Sequence, residues 1–570
     1  MRDTNNPTAH QRPQLRSHVL WVLAAACTVA LVASCASTST TTKAAGPSAS
    51  SRSQRTSSSV ETSAADAPDR GATLVSAAKQ PGVQHLTFKY GPIAIQPGQN
   101  NIAFSGTEVQ KPKVDGYITA IYPNLVRSNG VVPRVDVLHL HHGVWVNLGS
   151  GGGRGGKRGG PKRTDAKPAS GSAASNVGDR GAFGRELFFA SGEEKTTMIL
   201  PKGYGYEYKA SDKWLINYML HNLLPSTDKV WITYDMDFIP ASAPGAKDIK
   251  PARPVWMDVE KGQIYPVFDV LKGSGKNGKY TFPDDATNPY GTGKKLNTWT
   301  VDKDSVLLAT AGHLHPGGTH TDMFVTRNNK KSHIFQSKAI YYEPAGAVSW
   351  DVTMTATPPD WRIAVNKGDV ISISATYDTS RASWYESMGI MILWMTDGAD
   401  GTKGSDALKP GVDKVKEYIT HGHLPENRNH GGGKTKGFVD ATKLPSGPAT
   451  NKVNIVDFTY SPGDINGIFN TVPTVKAGQS LEFYNKDTNA TKNEVWHTIT
   501  ACAAPCDKAT GVAYPLADAK VPFDSGELGV KGPPTAGRVD WQVPKDLPAG
   551  TYTYFCRIHP LMRGAFRITN

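Results

Sequence analysis

Cysteine is scarce: the 570 residues hold five, and none lies between 36 and 501. The middle of the chain therefore has no disulfide bracing and no thiolate to bridge metal ions, and its core rests on packing alone. Helical periodicity is missing too, because no long stretch repeats apolar residues at the spacing of a helix face. Long hydrophobic runs are confined to 19–33, which is short and alanine-rich for a membrane span. The net charge of +13 gathers partly in GGGRGGKRGGPKR at 151–163, where no aromatic residue interleaves for base stacking. This excludes nucleic-acid binding as the reading of the basic balance and leaves a solvated loop insertion within reach of anionic envelope polymers. At 38% hydrophobic and 20% charged residues, a chain this long supports several globular cores.

Arg2, Arg12 and Arg16 precede the apolar run, the order of an export signal. The run ends in Val32-Ala33-Ser34-Cys35, which resembles the lipobox of bacterial lipoproteins. That resemblance implies cleavage before Cys35 and a diacylglyceryl anchor on its sulfur; the other reading is an ordinary secretory signal with an incidental cysteine. Either way the protein is expected outside the cytoplasm, lipid-anchored at the cell membrane or secreted. Residues 36–78 are dominated by Ser, Thr and Ala, too poor in large apolar side chains to offset chain entropy, and read as a disordered tether. Cys27 leaves with the signal and Cys35 takes the lipid, so Cys502, Cys506 and Cys556 remain.

From about 80 to 400, short segments such as VDVLHLHHGVWVNL, KVWITYDMDFI and DVISISATY alternate with Gly, Pro, Asn and Asp clusters. The expected fold class is all-β: two central β-sandwich halves at 79–245 and 246–400, a linker at 401–450, and a C-terminal β-sandwich at 451–570. TYTYFC then leads into Cys556-Arg557-Ile558-His559-Pro560-Leu561-Met562, which places a thiolate, an imidazole and a thioether in one tight loop. His497, in EVWHTIT after the strand LEFYNKD, supplies a second imidazole. Two imidazoles and a thiolate with a weak axial thioether define a blue-copper site, which moves electrons. Zinc is the chemical alternative, though it more often recruits further Cys or His than a thioether. The segment resembles the plastocyanin and pseudoazurin family of cupredoxins, in TVKAGQSLEFYNKD and DLPAGTYTYFC as well as the ligand loop. Cys502 and Cys506 (CAAPC) are expected to form a local disulfide in an oxidising compartment.

The central region carries His139-Leu140-His141-His142, then His221 in WLINYMLHN, then His313-Leu314-His315 in TAGHLHPGG, then Met388 in WYESMGIMILWM. Adjacent strand residues point to opposite faces unless the backbone bends, so His141-His142 needs a reason, whereas i, i+2 spacing puts His313 and His315 on one face. The order His-His, His, His-x-His, Met resembles the peptidylglycine α-hydroxylating and dopamine β-monooxygenases, two-copper enzymes; the histidine strands also resemble the plant Nod19-like family. The hydroxylase resemblance implies His141, His142 and His221 as ligands of an electron-storing copper. It implies His313, His315 and Met388 as ligands of the oxygen-activating, catalytic copper. The disulfides of those enzymes are absent, and the residues that would grip a peptide carboxylate or a catecholamine are not recognised. His139, His320, His421, His423 and His430 stay unassigned, the last three in a segment that reads as a solvated linker or a copper-loading loop.

The expectation is thus a copper-binding oxidoreductase with three copper ions, one type 1 and two central, in which the tethered cupredoxin replaces an external reductant. The alternative is a non-enzymatic copper or electron carrier for storage, delivery or detoxification, and a third reading is an envelope scaffold with copper in the last domain alone. The membrane is reached through the lipid anchor, and the electron partner and substrate are left open.

Overall fold

In strand Asp228–Pro240 the side chains of Val230, Ile232, Tyr234, Met236 and Phe238 are buried and those between them mostly half-exposed, the period-2 pattern of a sheet with one face on a core. Each such side chain contributes about 1.5–3 kcal/mol on burial. This strand pairs antiparallel with Gln84–Ile95 on one side and Gly116–Arg127 on the other. Across the shared core lies a four-stranded sheet in the order Ile102–Phe104, Trp214–Asn222, Leu138–Asn147, Glu186–Gly192. Trp145, from that second sheet, meets Tyr234 of the first at 5.5 Å between ring centres.

The computed structural model describes residues 73–100, 102–105, 109–135, 137–149, 186–224, 226–260, 267–293, 295–342, 350–423, 439–465, 469–487, 495–507, 521–529, 538–559 and 561–570. All of these fall in one compact unit, Glu61–Asn570. Among them the fold is all-β; the helical pieces are short 3-10 turns such as Ala246–Asp248, and no helix is long and apolar enough to cross a membrane.

Strand Lys250–Asp258 joins two layers of the central region: its first residues run parallel to Tyr204–Tyr208, and Arg253 to Asp258 pair antiparallel with Ile390–Asp397. Beyond it, Ser305–His313 pairs with Ile390–Asp397, and a second sheet places Gly318–Arg327 between Lys330–Tyr341 and Val370–Asp378. Short strands from the expected tether and from the expected linker join these sheets. Thr73–Leu74, at the end of the expected tether, pairs with Tyr418–Ile419, which also pairs with Thr355 and Ala356; Ser405–Asp406 pairs with Ile363 and Ala364. The reason is local: each is a two-residue strand, too short for a periodic signal.

The C-terminal segment forms two sheets. One orders Ser446–Ala449, Val472–Lys476, Arg563–Thr569, Gly550–Phe555 and Thr500–Cys502; the other orders Thr459–Ser461, Lys452–Val456, Glu482–Asn485 and Asp540–Gln542. This sandwich packs on the central sheets. Arg557 donates to the Ser383 carbonyl at 2.7 Å and lies 5.0 Å over the Trp384 ring, and Gln99 forms an isolated antiparallel bridge with Val495.

Candidate metal centres

Pairing of Gly550–Phe555 with Arg563–Thr569, ending at Phe555 opposite Arg563, closes the Cys556–Met562 loop into a fixed turn. Cys556 N–H donates to the Met562 carbonyl at 3.1 Å and Met562 N–H to that of His559 at 2.8 Å. The thiol sulfur lies 3.7 Å from Nδ1 of His497 and 3.7 Å from Nδ1 of His559, and the two nitrogens are 3.2 Å apart. With zinc–ligand lengths as a guide, about 2.0–2.1 Å to nitrogen and 2.3 Å to sulfur, an ion in the plane of its ligands needs N–S edges of about 3.8 Å and an N–N edge of about 3.5 Å. The triangle fits an ion of that size. Cys556, His497, His559 and Met562 are all buried. Backbone N–H groups of Thr498 and His559 each donate to the sulfur at 3.4 Å. His497 Nε2 donates to Asp487 Oδ2 at 2.9 Å, which turns the Nδ1 lone pair inward. Burial alone would lower His497, but Asp487 and Cys556 outweigh it and lift it to about 9. Burial, then His497 and His221, hold His559 well below the ordinary imidazole range.

In the central region, Leu138–Asn147 and Trp214–Asn222 pair with a register skip between Leu140 and His142, so His141 is the extra residue of a bulge. The bulge is the local bend that an adjacent His-His pair requires: His139 sits opposite His221 and His142 opposite Met219, while Leu140 sits opposite Leu220 and Trp145 opposite Ile216 in the first core. His139, His141 and His221 offer nitrogens that lie within 4.8 Å of one another, and Trp350 packs 4.7 Å from the His139 ring. Both nitrogens of His221 are buried without a hydrogen-bond partner. A second group, with the same closeness, joins His141 to Glu193 and His315. Glu193 Oε2 lies 3.5 Å from His141 Nδ1, and His315 Nδ1 faces the Glu386 carbonyl at 2.5 Å, leaving its Nε2 for the group.

The nitrogens that lie together are thus not grouped as the family likeness implies. His142 is not level with His221; it stands opposite Met219, two residues along the strand, about 7 Å away at the rise of a strand. Its Nε2 meets Asn217 Oδ1 at 3.1 Å. The strand ends at His313, and the following turn brings the His315 ring 4.4 Å from that of His141 and 5.1 Å from that of His313. His142, His313, Glu194, Asn217 and Met388 line a cavity of about 120 Å³ whose other walls include Trp256, Ile390 and Trp394. Met388 stands on the cavity with His142 and His313.

Electrostatics divide the two acids of the Glu193-Glu194 pair. Glu194 lies 3.1 Å from His313 Nδ1; burial would lower His313, but Glu194 and Glu193 lift it to about 9. Glu194 is correspondingly lowered against its burial, whereas burial and then Glu194 push Glu193 well above the carboxylate range. Burial, then the surrounding histidines, hold His141 and His315 well below the ordinary range; burial and His139 do the same for His221, and burial takes His142 to about 4. Buried uncharged imidazoles beside an uncompensated acid are a donor set suited to a cation.

Sequence reasoning missed His139, Glu193, Glu194 and Asp487. Of the unassigned histidines, His421 Nε2 contacts the Glu194 carbonyl, His423 Nδ1 meets Asp351 Oδ2 at 2.7 Å, and His320 Nε2 meets Asp322 Oδ2 at 3.4 Å. Cys502 and Cys506 are bonded to each other with Cα atoms 5.6 Å apart. Cys35 and His430 lie outside the described residues.

No family model and no curated protein matches this chain. Among solved structures, it is similar to a reduced amicyanin variant: 21% identity over 24% of this chain and 94% of that one, TM-score 0.12. It is also similar to a Cu-containing nitrite reductase from Thermus scotoductus SA-01: 15% identity over 46% of this chain and 55% of that one, TM-score 0.14.

Proposed function

We propose that this chain is an extracytoplasmic copper oxidoreductase, tethered to the membrane through a lipid on Cys35. In this reading His497, Cys556, His559 and Met562 hold a blue copper, and the central histidines hold further copper beside a substrate cavity. The observation that carries the reading is the buried triangle of one sulfur and two Nδ1 atoms with edges of 3.7, 3.7 and 3.2 Å. Bound copper would supply one-electron chemistry at the sulfur-ligated centre and, where a coordination position is open, oxygen activation. The chain's own residues do the rest. Thr498 and His559 amides donate to the sulfur, Asp487 fixes the tautomer of His497, and Glu194 holds a proton on His313 at the cavity wall. The mostly apolar cavity lining beside His142, His313 and Met388 supports a monooxygenase-like centre acting on a C–H bond.

The rival reading, copper storage or delivery, is favoured by one observation: His139, His141 and His221 are buried, and the cavity that His139 lines is small, about 10 Å³. Copper content and the visible spectrum of copper-loaded protein, wild type and Cys556→Ser, test the reading. About three copper ions per chain, with the blue band lost in the variant and two ions kept, are expected. About one ion, all lost with Cys556, would leave the central histidines structural. Oxygen uptake with a reductant and a broad substrate panel, no faster than free copper gives, would leave the carrier reading standing.

A further inference from the structure

In the Cys556 centre, Nδ1 of His559 faces the sulfur, so its Nε2 points away from the triangle, and that atom is buried without a hydrogen-bond partner. What covers it belongs to the central region. Gly98 has φ +59°, and a side-chain carbon built there would lie 2.8 Å from His559 Nε2 and 2.7 Å from the Phe458 ring. Only a residue without a side chain fits between the two rings at that backbone angle. Gly98 continues into Gln99, whose carbonyl accepts from the Asn222 N–H at 2.9 Å, and Asn222 follows His221. The turn is anchored on both sides. Gly98 N–H donates to the Leu224 carbonyl at 3.3 Å, the Asn222 side chain donates to the Gln96 carbonyl at 2.9 Å, and Gln99 bridges Val495, two residues before His497.

From this geometry we infer that His139, His141 and His221 are the metal ligands on the central side of the contact, and that the Gly98–Gln99 turn is the bridge through which their metal exchanges electrons with His559. The inference rests on the copper reading above and goes beyond it by naming the receiving ligands and the route. Its legs are the contact at Gly98, the backbone from Gly98 through the Gln99 carbonyl, one hydrogen bond from the Asn222 N–H, and the peptide bond back to His221. The step moves one electron and no atom: the Cys556 centre is oxidised by one unit as the central metal is reduced by one, and an external one-electron donor restores the first. His221 supports the assignment independently, since two buried, unpartnered ring nitrogens are costly without a ligand. So does the register, which sets His139 and not His142 opposite His221.

The test uses the full copper-loaded chain. Copper content and electron paramagnetic resonance are expected to show one ion lost in His139→Ala with the blue band intact, and none lost from this site in His142→Ala. Flash reduction of the blue centre, followed at its visible band, is expected to show an intramolecular reoxidation phase. Gly98→Ala is expected to slow that phase at least about tenfold, a barrier increase of about 1.4 kcal/mol. Asn222→Ala, which frees the turn without filling the contact, is expected to slow it as well, and serves if the Gly98 variant does not fold. Full copper in His139→Ala, or an unchanged phase in both bridge variants with the blue band kept, overturns the inference. A wild-type chain without a blue band would instead sink the copper reading beneath it.

Discussion

Replacing Asp487 by alanine probes the C-terminal centre without touching a ligand. The carboxylate is 9% exposed and does two jobs: Oδ2 holds His497 Nε2 at 2.9 Å, and the two oxygens accept from the backbone N–H groups of Asp457 and Phe458 at 2.6 and 2.9 Å. Those two residues have φ of 48° and 59°, an angle that side chains rarely adopt, so the carboxylate helps hold an unfavourable turn. The turn in turn sets Phe458 edge-on to His497 and to His559, at 5.6 and 5.0 Å. Losing a partner behind a ligating histidine costs about 10–100-fold in metal affinity. Losing a hydrogen bond to a charged group costs about 1.5–3 kcal/mol of stability. Asp487→Ala is therefore expected to weaken copper binding by about 10–100-fold in a competitive chelator titration, and to lower the unfolding free energy of the metal-free chain by about 2 kcal/mol. An affinity within about threefold of wild type, with an unchanged visible band, would refute the idea that Asp487 orients the ligand.

The contact between the C-terminal sandwich and the central sheets gives a second prediction: Arg557→Ala strips the 2.9 Å partner from the nearly buried Asp524 and removes the bond to Ser383, so a loss of about 3 kcal/mol is expected in denaturant unfolding with the blue band retained. A loss below about 1 kcal/mol would mean that the pair is replaced by solvent. A third concerns pH. Asp322 is held well below the carboxylate range, against its burial, by His320, His333 and Gln336; His333 is raised by Asp322 first and then, against its burial, by Asp413. The depressed acid stabilises the fold above the unfolded carboxyl value, about 4, and that stability fades as pH falls through the folded value. The raised histidine stabilises it below about 6.5, and that stability fades as pH rises through the folded value. The gap between wild type and Asp322→Asn, about 1.5 kcal/mol, should be widest from about pH 4 to 6.5 and shrink on both sides; a gap constant with pH would contradict it.

How much of this was legible in the sequence depended on chain distance. Cys556, His559 and Met562 share one loop, so their convergence needs no knowledge of the fold beyond the turn that carries them. Asp487 had no such signal: it ends a strand in NKD, where an acid reads as an ordinary turn residue, and its partner is revealed only when the segment folds back. Glu193 and Glu194 were invisible for the same reason, since two acids after a strand read as a solvated turn until the second half of the central region closes over them.

The histidine run shows what pattern reasoning can and cannot do. Strict alternation in His139-Leu140-His141-His142 assigns His139 and His141 to one face, and these are the two that meet His221; the adjacent pair favoured by family likeness pointed to His142 instead. Alternation also assigns His142 to the core face beside Leu140, and there it fails, because the extra residue at His141 returns His142 to the outer face. A bulge leaves no mark in composition or period, so its presence could be inferred only from the cost of the alternative. Without it, His142 would enter the first core among Leu140, Trp145 and Leu220, where an imidazole finds no polar partner. That same shift puts His139 and His142 on one face, two register positions apart, so one run of four residues serves two places: the group with His221 at one end and the cavity at the other. Deleting Leu140 would restore the regular register with His139 still opposite His221 and His142 still opposite Met219, but it would put His141 in the core position opposite Leu220, so the group that His141 forms with His139 and His221 would lose a ligand while the cavity kept His142.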